Sequence, residues 1–242
     1  MTQTGAASSR THGVRELAGA HVVVGGATGG LGSRLTAQLE RRGAQVSVVG
    51  RDEQALRALG ASGAVLVGDL TDATLGDQLV QTVERDFDGR LDGVVNAAGV
   101  VAFGAVTELP DEVVEQLTLT NLVGPMWLLN RLVPLLRRSG GFAALITGVV
   151  AEQAFPRMAA YCASKAGLAA AAAALSAEVR RDGVQVIDLR PPHTETGLSG
   201  RPLAGEAPKM PRGLDPDDAA TRMVQAIIDG ERVVRPTEFG RA

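Results

Sequence analysis

The stretch His21-Val22-Val23-Val24-Gly25-Gly26-Ala27-Thr28-Gly29-Gly30-Leu31-Gly32 decides the fold of this chain. It opens with the short apolar, β-branched run His21–Gly25, which ends in glycine and is typical of a buried strand. Leu31, Leu35 and Leu39 then recur at helical spacing and predict a helix over about residues 30–42. The five glycines within residues 25–32 let the backbone turn tightly and approach a ligand. The stretch therefore predicts a phosphate cradle at a helix N-terminus, and a flexible glycine-rich turn is the alternative.

The rest of the chain continues this alternation of strand and helix. Further strands are predicted at residues 45–49, 64–67, 91–96, 142–147, 184–189 and 232–234, and further helices at 73–87, 111–138, around Tyr161 and at 215–229. Strands that alternate with helices pair in parallel, so we expect an α/β fold with a doubly wound parallel sheet. We predict a flexible N-terminal lead-in over residues 1–18 and a single dinucleotide-binding domain over 19–242. The Pro- and Gly-rich section 191–213 is predicted to be a substrate loop.

Composition limits the classes of partner. The chain has 242 residues with 45% apolar composition, which is enough to bury one sizeable core. Its formal net charge is −3 and its basic residues are scattered, which argues against nucleic acid or an anionic membrane as a partner. Cys162 is the one cysteine in the sequence, which excludes an internal disulfide and fits a reducing compartment. We expect a cytoplasmic protein that has no metal site and acts on a small molecule.

The end of the second predicted strand bears on cofactor choice. Gly50-Arg51-Asp52 follows that strand, and an acidic residue at its end would bind the 2′-hydroxyl of an adenine ribose. Arg51 there can accommodate a 2′-phosphate instead, which favours NADP over NAD. The alternative is that Arg51 is a solvated turn residue and Asp52 caps the following helix.

Tyr161 and Lys165 form the candidate catalytic pair. The Ala-rich run behind them predicts a helix, on which residues four apart are neighbours. An ammonium group near a phenol lowers the phenol pKa toward working pH, so we expect Tyr161 to act as a general acid/base. The alternative is an ordinary surface pair.

Several motifs in the same order resemble those of the short-chain dehydrogenase/reductase family. They are a TGxxxGxG loop with Gly25 in the Thr place, Asp69-Leu70, Asn96-Ala97-Ala98-Gly99 for NNAG, Asn121, and Tyr161 to Lys165 for YxASK. The resemblance runs from about Gly19 to Val234. It implies a Rossmann-like domain that interconverts a carbonyl and an alcohol with NADP(H), as a homodimer or homotetramer.

The resemblance also implies roles for single residues. The implied catalytic residues are Asn121, Tyr161 and Lys165. Together with the arguments above for the glycine loop and for Arg51, the resemblance predicts a set of residues that bind the cofactor. They are Gly26, Thr28, Gly30, Leu31, Gly32, Arg51, Asp69, Leu70, Asn96, Ala97, Lys165 and Thr196. In the family the main-chain carbonyl of the Asn holds a water that relays protons to the Lys. Pro125 has no N–H, so the carbonyl of Asn121 should lack its helical partner, although Pro125 can equally be a kink for packing.

One position departs from the family pattern. Gly148 stands where the family has a Ser that hydrogen-bonds the reacting oxygen. The neighbouring Thr147 hydroxyl should point away, because successive strand residues face opposite sides. The gap at Gly148 can hold a water, a bulkier substrate or a donor from elsewhere, with His193 and Thr194 as candidates. The alternative function is therefore a cofactor-binding protein of this fold that has lost efficient catalysis and serves as a sensor or partner subunit.

Overall fold

The protein, in a computed structural model that describes residues 15–240, is a seven-stranded parallel sheet covered by helices on both faces. The strands are β1 His21–Gly25, β2 Gln45–Gly50, β3 Val65–Val67, β4 Gly93–Asn96, β5 Phe142–Ile146, β6 Gln185–Leu189 and β7 Val233–Val234. Their order across the sheet is β3-β2-β1-β4-β5-β6-β7, and every paired neighbour runs parallel. The predicted doubly wound, Rossmann-like α/β fold is confirmed.

Seven α-helices connect the strands in the described residues. They are α1 Gly32–Glu40, α2 Glu53–Ala58, α3 Leu75–Asp86, α4 Asp111–Thr118, α5 Gly124–Ser139, α6 Ala159–Val179 and α7 Pro216–Asp229. Short 3-10 turns lie at Val149–Ala151, Arg180–Asp182 and Pro236–Glu238. None of the helices between residues 15 and 240 is both long enough and apolar enough to cross a membrane.

Alternation along each strand divides the core between two layers. In β1, Val22 and Val24 pack with α1 and α7 on one face, whereas Val23 packs with α3, α5 and α6 on the other. Both faces of the sheet are therefore buried, which explains why the strands are continuous apolar runs. A third, smaller cluster lies beyond the carboxyl ends of the strands and contains Phe103, Val150 and Tyr161.

Two predicted segments differ from the structure. The helix predicted over residues 111–138 is divided into α4 and α5 by a π-helical turn, Leu119–Val123, in which the N–H of Gly124 donates to the carbonyl of Leu119. Pro125 has no N–H to continue an α-helical ladder, which is a physical reason for the wider turn. Residues 1–14 of the predicted lead-in lie outside the described residues. Residues 15–18, which belong to the predicted flexible lead-in, are part of the folded domain. The N–H of Arg15 donates to the carbonyl of Ile228 at 2.7 Å, and Leu17 is buried.

Candidate active site

A cleft of about 1340 Å³ opens at the carboxyl ends of the strands, over the point where the strand order reverses between β1 and β4. Open α/β sheets bind ligands at this position. Most of the residues predicted to bind the cofactor or do the chemistry line this cleft: Gly26, Thr28, Leu31, Arg51, Asp69, Leu70, Ala97, Tyr161, Lys165 and Thr196. The remaining four, Gly30, Gly32, Asn96 and Asn121, are not among the residues that line the cleft.

The glycines of the loop after β1 are required by close packing of the backbone. A Cβ on Gly26, which has φ +71°, would lie 2.6 Å from the backbone nitrogen of Ala98. One on Gly30 would lie 2.7 Å from Thr196, and one on Gly32 would lie 2.1 Å from the carbonyl oxygen of Gly26. Glycine at positions 30 and 32 therefore lets the loop pack closely against Thr196 and against its own backbone at Gly26.

This loop leaves unpaired donors at the start of α1. Among the described residues, no acceptor receives the backbone N–H groups of Gly30, Leu31 and Gly32. Unpaired N–H groups at a helix N-terminus, together with the helix dipole, favour a bound phosphate. The loop therefore fits the pyrophosphate of a dinucleotide.

Arg51 lines the cleft directly after the last residue of β2. Its side chain is 73% exposed, and its guanidinium lies 3.7 Å from a carboxylate oxygen of Asp69, at the end of β3. Position 50 has no side chain, and a Cβ there would lie 3.6 Å from the hydroxyl oxygen of Thr28. Asp52 caps α2 by accepting from the N–H of Ala55 at 3.0 Å. Asp52 thus has the capping role of the alternative interpretation, while Arg51 lines the cleft.

The side chain of Asn121 is clamped at the π-helical turn. It is fully buried, its Oδ1 accepts from the N–H of Val100 at 2.9 Å, and its Nδ2 donates to the carbonyl of Val100 at 2.9 Å. Nδ2 also donates to Ser164 Oγ at 3.1 Å, and that hydroxyl donates to the carbonyl of Tyr161 at 2.8 Å. Ser164, which the sequence showed only as part of YxASK, therefore joins Asn121 to the first turns of α6.

The main-chain carbonyl of Asn121 has no α-helical donor, because the residue four positions on is Pro125. The break predicted there takes the form of the π-helical turn described above rather than a simple kink. That this carbonyl holds a water for proton relay stays a prediction.

Tyr161 and Lys165 lie one turn apart on α6, as predicted. The predicted lowering of the Tyr161 pKa, however, is wrong. Burial raises the pKa of Tyr161 to about 12 and lowers that of Lys165 to about 8. Both charged forms lose hydration, and the Lys165 ammonium donates to the carbonyl of Ile146 at 3.0 Å. In the protein alone, desolvation of the phenol therefore outweighs any help from the neighbouring ammonium group.

Comparison with known proteins agrees with this geometry. The sequence profile of the short chain dehydrogenase family matches residues 20–206. The chain belongs to the short-chain dehydrogenase family. An uncharacterised oxidoreductase of Staphylococcus saprophyticus is 30% identical over 213 residues, which cover 85% of this chain and 89% of that protein. A 3beta-hydroxysteroid dehydrogenase of Mediterraneibacter gnavus is 29% identical, with 87% of this chain and 74% of that protein covered.

Solved structures show the same fold. A short chain dehydrogenase of Burkholderia cenocepacia, in complex with NADP, superimposes with a TM-score of 0.81 at 24% identity and covers 91% of this chain and 89% of its own. A short-chain dehydrogenase of Streptomyces avermitilis gives a TM-score of 0.80 at 24% identity, with 92% and 91% covered.

In this short-chain dehydrogenase the backbone at Gly148 has a glycine-only conformation. Its φ is +80° and its ψ is 167°, a combination that residues with a side chain rarely adopt. The N–H groups of Thr147 and Gly148 both donate to the carbonyl of Leu189, at 2.9 and 3.2 Å, so the ladder between β5 and β6 bulges here. A Cβ on Gly148 would meet nothing nearer than Val150 at 3.8 Å and Pro191 at 3.9 Å, which are ordinary van der Waals distances, so no clash excludes a side chain here. That Gly148 stands in the place of a family serine stays a prediction.

The hydroxyls next to this gap are engaged elsewhere. Thr147 is fully buried and its hydroxyl donates to Asp188, as the alternation of β5 predicts. The hydroxyl of Thr194 donates to the carbonyl of Pro192 at 2.9 Å. His193 lines the cleft, and its Nε2 lies 3.5 Å from a carboxylate oxygen of Glu195. Of the two substitute donors suggested by the sequence, His193 is the one whose side chain is not already bonded to the backbone.

We expect Gly148→Ser to destabilise the protein by about 1–3 kcal/mol, because a side chain is forced into a glycine-only backbone conformation. The space at this position is open, so the cost comes from the backbone and not from a clash. Urea unfolding of the wild type and the variant measures it. A fully stable Gly148→Ser protein would show that the backbone at residue 148 relaxes easily.

The section 191–213, predicted to be a substrate loop, is docked onto the segment that follows β4. The N–H of Leu203 donates to the carbonyl of Val101 at 2.8 Å, and the N–H of Phe103 donates to the carbonyl of Ala204 at 2.9 Å. Gly205 makes this approach possible, since its φ is +70° and a Cβ there would lie 1.8 Å from the carbonyl oxygen of Phe103. The sequence predicts a loop here but carries no signal for its docking site.

We expect Gly205→Ala to undock the loop and raise the KM for substrate roughly tenfold, because two backbone hydrogen bonds of about 0.5–1.5 kcal/mol each are lost. The matched control is Gly197→Ala in the same loop. Gly197 has a similar φ of +73°, but a Cβ there meets nothing within 4 Å, so the control has the backbone strain without the clash. Equal kinetics for the two variants would show that docking does not matter for substrate binding.

Proposed function

We propose that this protein is an NADP(H)-dependent oxidoreductase that interconverts a carbonyl and an alcohol, with Tyr161 as general acid/base. The observation that carries the proposal is the shared cleft. Tyr161 and Lys165 line the same cleft as the glycine cradle, and Asn121 is joined to their helix through Ser164. The site thus combines a dinucleotide cradle with a proton donor at one opening.

Different residues of the cleft would bind different parts of the cofactor. The N–H groups of Leu31 and its neighbours would hold the pyrophosphate, Asp69 and Leu70 would lie beside the adenine, and Thr196 would contact the carboxamide. When bound, a nicotinamide cofactor supplies or accepts the hydride at the carbonyl carbon. A side chain on Gly99 would lie 3.1 Å from Lys165 Nζ and 3.2 Å from Asn121 Oδ1, so glycine at this position leaves the Lys165 ammonium free to reach a ribose.

The pKa values of the protein alone suit the proton donation that carbonyl reduction needs. With a pKa of about 12, Tyr161 holds its proton at neutral pH and can donate it to a developing alkoxide. Lys165, with a pKa of about 8, is mostly protonated at pH 7 and can resupply that proton. Oxidation of an alcohol would need the phenolate, which burial disfavours in the protein alone.

NADP preference is proposed from Arg51. A guanidinium in the cleft beside a Gly at position 50 suits a 2′-phosphate, and the related Burkholderia structure is a complex with NADP. Asp69 lies close enough to compete for the same guanidinium, so the phosphate would have to displace or share that contact.

We expect NADPH to bind more tightly than NADH, and Arg51→Ala to weaken NADPH by about 10- to 150-fold, since a hydrogen bond to a charged group contributes about 1.5–3 kcal/mol. NADH affinity should hardly change. Fluorescence titration of both cofactors measures this. Arg57→Ala is the matched control, because Arg57 pairs with Glu53 on the exposed side of α2 at 2.7 Å and does not line the cleft. Equal affinities of the wild type for NADPH and NADH would contradict the preference.

Gly148 favours a second candidate function, a cofactor-binding protein with degraded catalysis that acts as a sensor or partner subunit. One missing donor to a developing oxyanion commonly lowers the rate by about 10²–10³. Turnover of NADPH with a panel of ketones, aldehydes and diketones distinguishes the two. NADPH binding without turnover of any carbonyl would favour the sensor.

A further inference from the structure

The carboxylate of Asp69 is held in one orientation just after β3. Its Oδ1 accepts from both the N–H and the hydroxyl of Thr71, each at 2.9 Å. Its Oδ2 accepts no hydrogen bond from residues 15–240 and lies 3.7 Å from a guanidinium nitrogen of Arg51. Thr71 therefore fixes the carboxylate so that its free oxygen faces Arg51.

The guanidinium of Arg51 is held much less firmly than this carboxylate. At 3.7 Å its contact with Asp69 is an ion pair without a hydrogen bond, and the Arg51 side chain is 73% exposed. Among the described residues, none accepts a hydrogen bond from the Arg51 side chain. Exposed ion pairs of this kind are weak, whereas a guanidinium and a phosphate form strong, charge-assisted hydrogen bonds. Arg51 can therefore turn from Asp69 to a phosphate, while Asp69 stays in place.

The two cofactors would affect this ion pair differently. A 2′-phosphate is an anion that uses the same guanidinium as Asp69, so an Arg51 side chain that turns toward the phosphate gives up its contact with Asp69. A ribose with a free 2′-hydroxyl carries no charge at this point and leaves the pair intact. The cost of separating the pair therefore falls on NADP(H) alone, whereas any contact between Asp69 and the adenine is common to both cofactors.

We propose that Asp69 is a cofactor-specificity residue that acts through Arg51. It competes with the 2′-phosphate for the guanidinium and holds the preference for NADP(H) below the level that Arg51 alone would give. This inference rests on the proposed NADP preference and deepens it, because it assigns an opposing residue to the same site. Asp69→Asn tests it with little change in shape: the amide keeps an oxygen that can accept from Thr71, but it has no charge to hold Arg51.

The test measures the dissociation constants of two ligands, 5′-AMP and adenosine 2′,5′-bisphosphate, by calorimetry. They differ only in the 2′-phosphate, and their binding needs no turnover. The ratio of the 5′-AMP constant to the bisphosphate constant cancels any loss of adenine affinity that both ligands share. Asp69→Asn should raise this ratio about fivefold, the upper range for release of an exposed ion pair. An unchanged or lower ratio in Asp69→Asn would overturn the inference.

Two further measurements show whether the effect belongs to Asp69 and whether it passes through Arg51. Glu115→Gln is the matched control, because it removes a carboxylate that lines the same cleft but has no ion pair with Arg51. The ratio for Glu115→Gln should stay within about twofold of the wild type, and so should the change that Asp69→Asn causes in an Arg51→Ala background. A fivefold rise in Glu115→Gln would assign the effect to the net charge of the cleft. The same rise in the Arg51→Ala background would assign it to direct repulsion of the phosphate, and either result would overturn the inference.

The same titrations separate this inference from the proposed NADP preference. A ratio near one in the wild type, neither lowered by Arg51→Ala nor raised by Asp69→Asn, would overturn both. A ratio above one that Arg51→Ala lowers and Asp69→Asn leaves unchanged would overturn the role of Asp69 and leave the NADP preference standing.

Discussion

Tyr161→Phe is expected to reduce kcat by about 10²–10⁴, the usual contribution of a positioned proton donor, while cofactor affinity stays within a few fold. The ring is retained, so the apolar cluster with Phe103 and Val150 keeps its shape and only the hydroxyl is lost. Steady-state kinetics of carbonyl reduction and a cofactor titration measure the two quantities separately. Cys162→Ala is a suitable control, because it changes the next buried residue of α6 without removing a proton donor expected to do chemistry. Retention of most of the wild-type rate by Tyr161→Phe would exclude the phenol as the proton donor.

The same residue offers a direct spectroscopic measurement. Tyr161 is the one tyrosine in the sequence, so the tyrosinate absorbance reports on this phenol alone. In the folded cofactor-free protein its pKa should be about 12, because burial raises it. A transition well below the ordinary value of about 10 would restore the interpretation that Lys165 activates the phenol without help from a ligand.

Lys165→Met is expected to stabilise the cofactor-free protein by about 2 kcal/mol at pH 7, even though it removes a residue to which we assign a catalytic role. Burial lowers the pKa of Lys165 from 10.5 to about 8. Keeping the ammonium buried therefore costs about 3 kcal/mol, from which about 1 kcal/mol is subtracted for the lost hydrogen bond to Ile146. Methionine retains the length and shape of the apolar stem.

The sign of the pH dependence follows from the same shift. Below pH 8 both the folded and the unfolded chain hold the proton on Lys165, and the full cost is present. Between about pH 8 and 10.5 the unfolded chain holds a proton that the folded protein has released, so stability rises with pH. Tyr161 acts in the opposite direction, but only above pH 10.

Urea unfolding at pH 7 and 9.5 measures this slope. The wild type should gain stability across that interval relative to Lys165→Met. Lys209→Met is the control, since Lys209 is the only other lysine in the sequence and is exposed on the substrate loop. Parallel pH profiles for the wild type and Lys165→Met would show that the buried ammonium is solvated in some other way.

Much of the fold could be predicted because it depends on local periodicity. The strand predicted at His21–Gly25 has the observed bounds, since an apolar run ending in glycine marks both of its ends. Parallel pairing followed from the alternation of strands and helices alone. The prediction of one continuous helix over residues 111–138 was wrong in its middle. There a π-helical turn, followed directly by Gly124 and Pro125, interrupts the α-helical hydrogen bonds. A pattern of apolar residues does not reveal such a change of pitch.

The grouping of the candidate residues at one cleft could be predicted, but their pKa values could not. Motif spacing identified Tyr161, Lys165 and Arg51, and the structure places all three at one cleft. The predicted lowering of the Tyr161 pKa was wrong. The pKa depends on how much water the tertiary packing removes from the phenol, and helical spacing gives no information on that. The role of Gly205 depends on the carbonyl of Phe103, far away in the sequence, so no local signal could have shown it.

The bulge at Gly148 also bears on the history of the chain. Two successive N–H groups share the carbonyl of Leu189, and φ at Gly148 is +80°. A substitution to serine alone would place a side chain on that backbone and would lose stability whatever its effect on the rate. A stable serine at position 148 therefore requires a coordinated change that straightens the end of β5, so the bulge is a barrier to that substitution. Descendants of this chain are expected to diversify around the glycine, through the substrate loop, more readily than to reverse it.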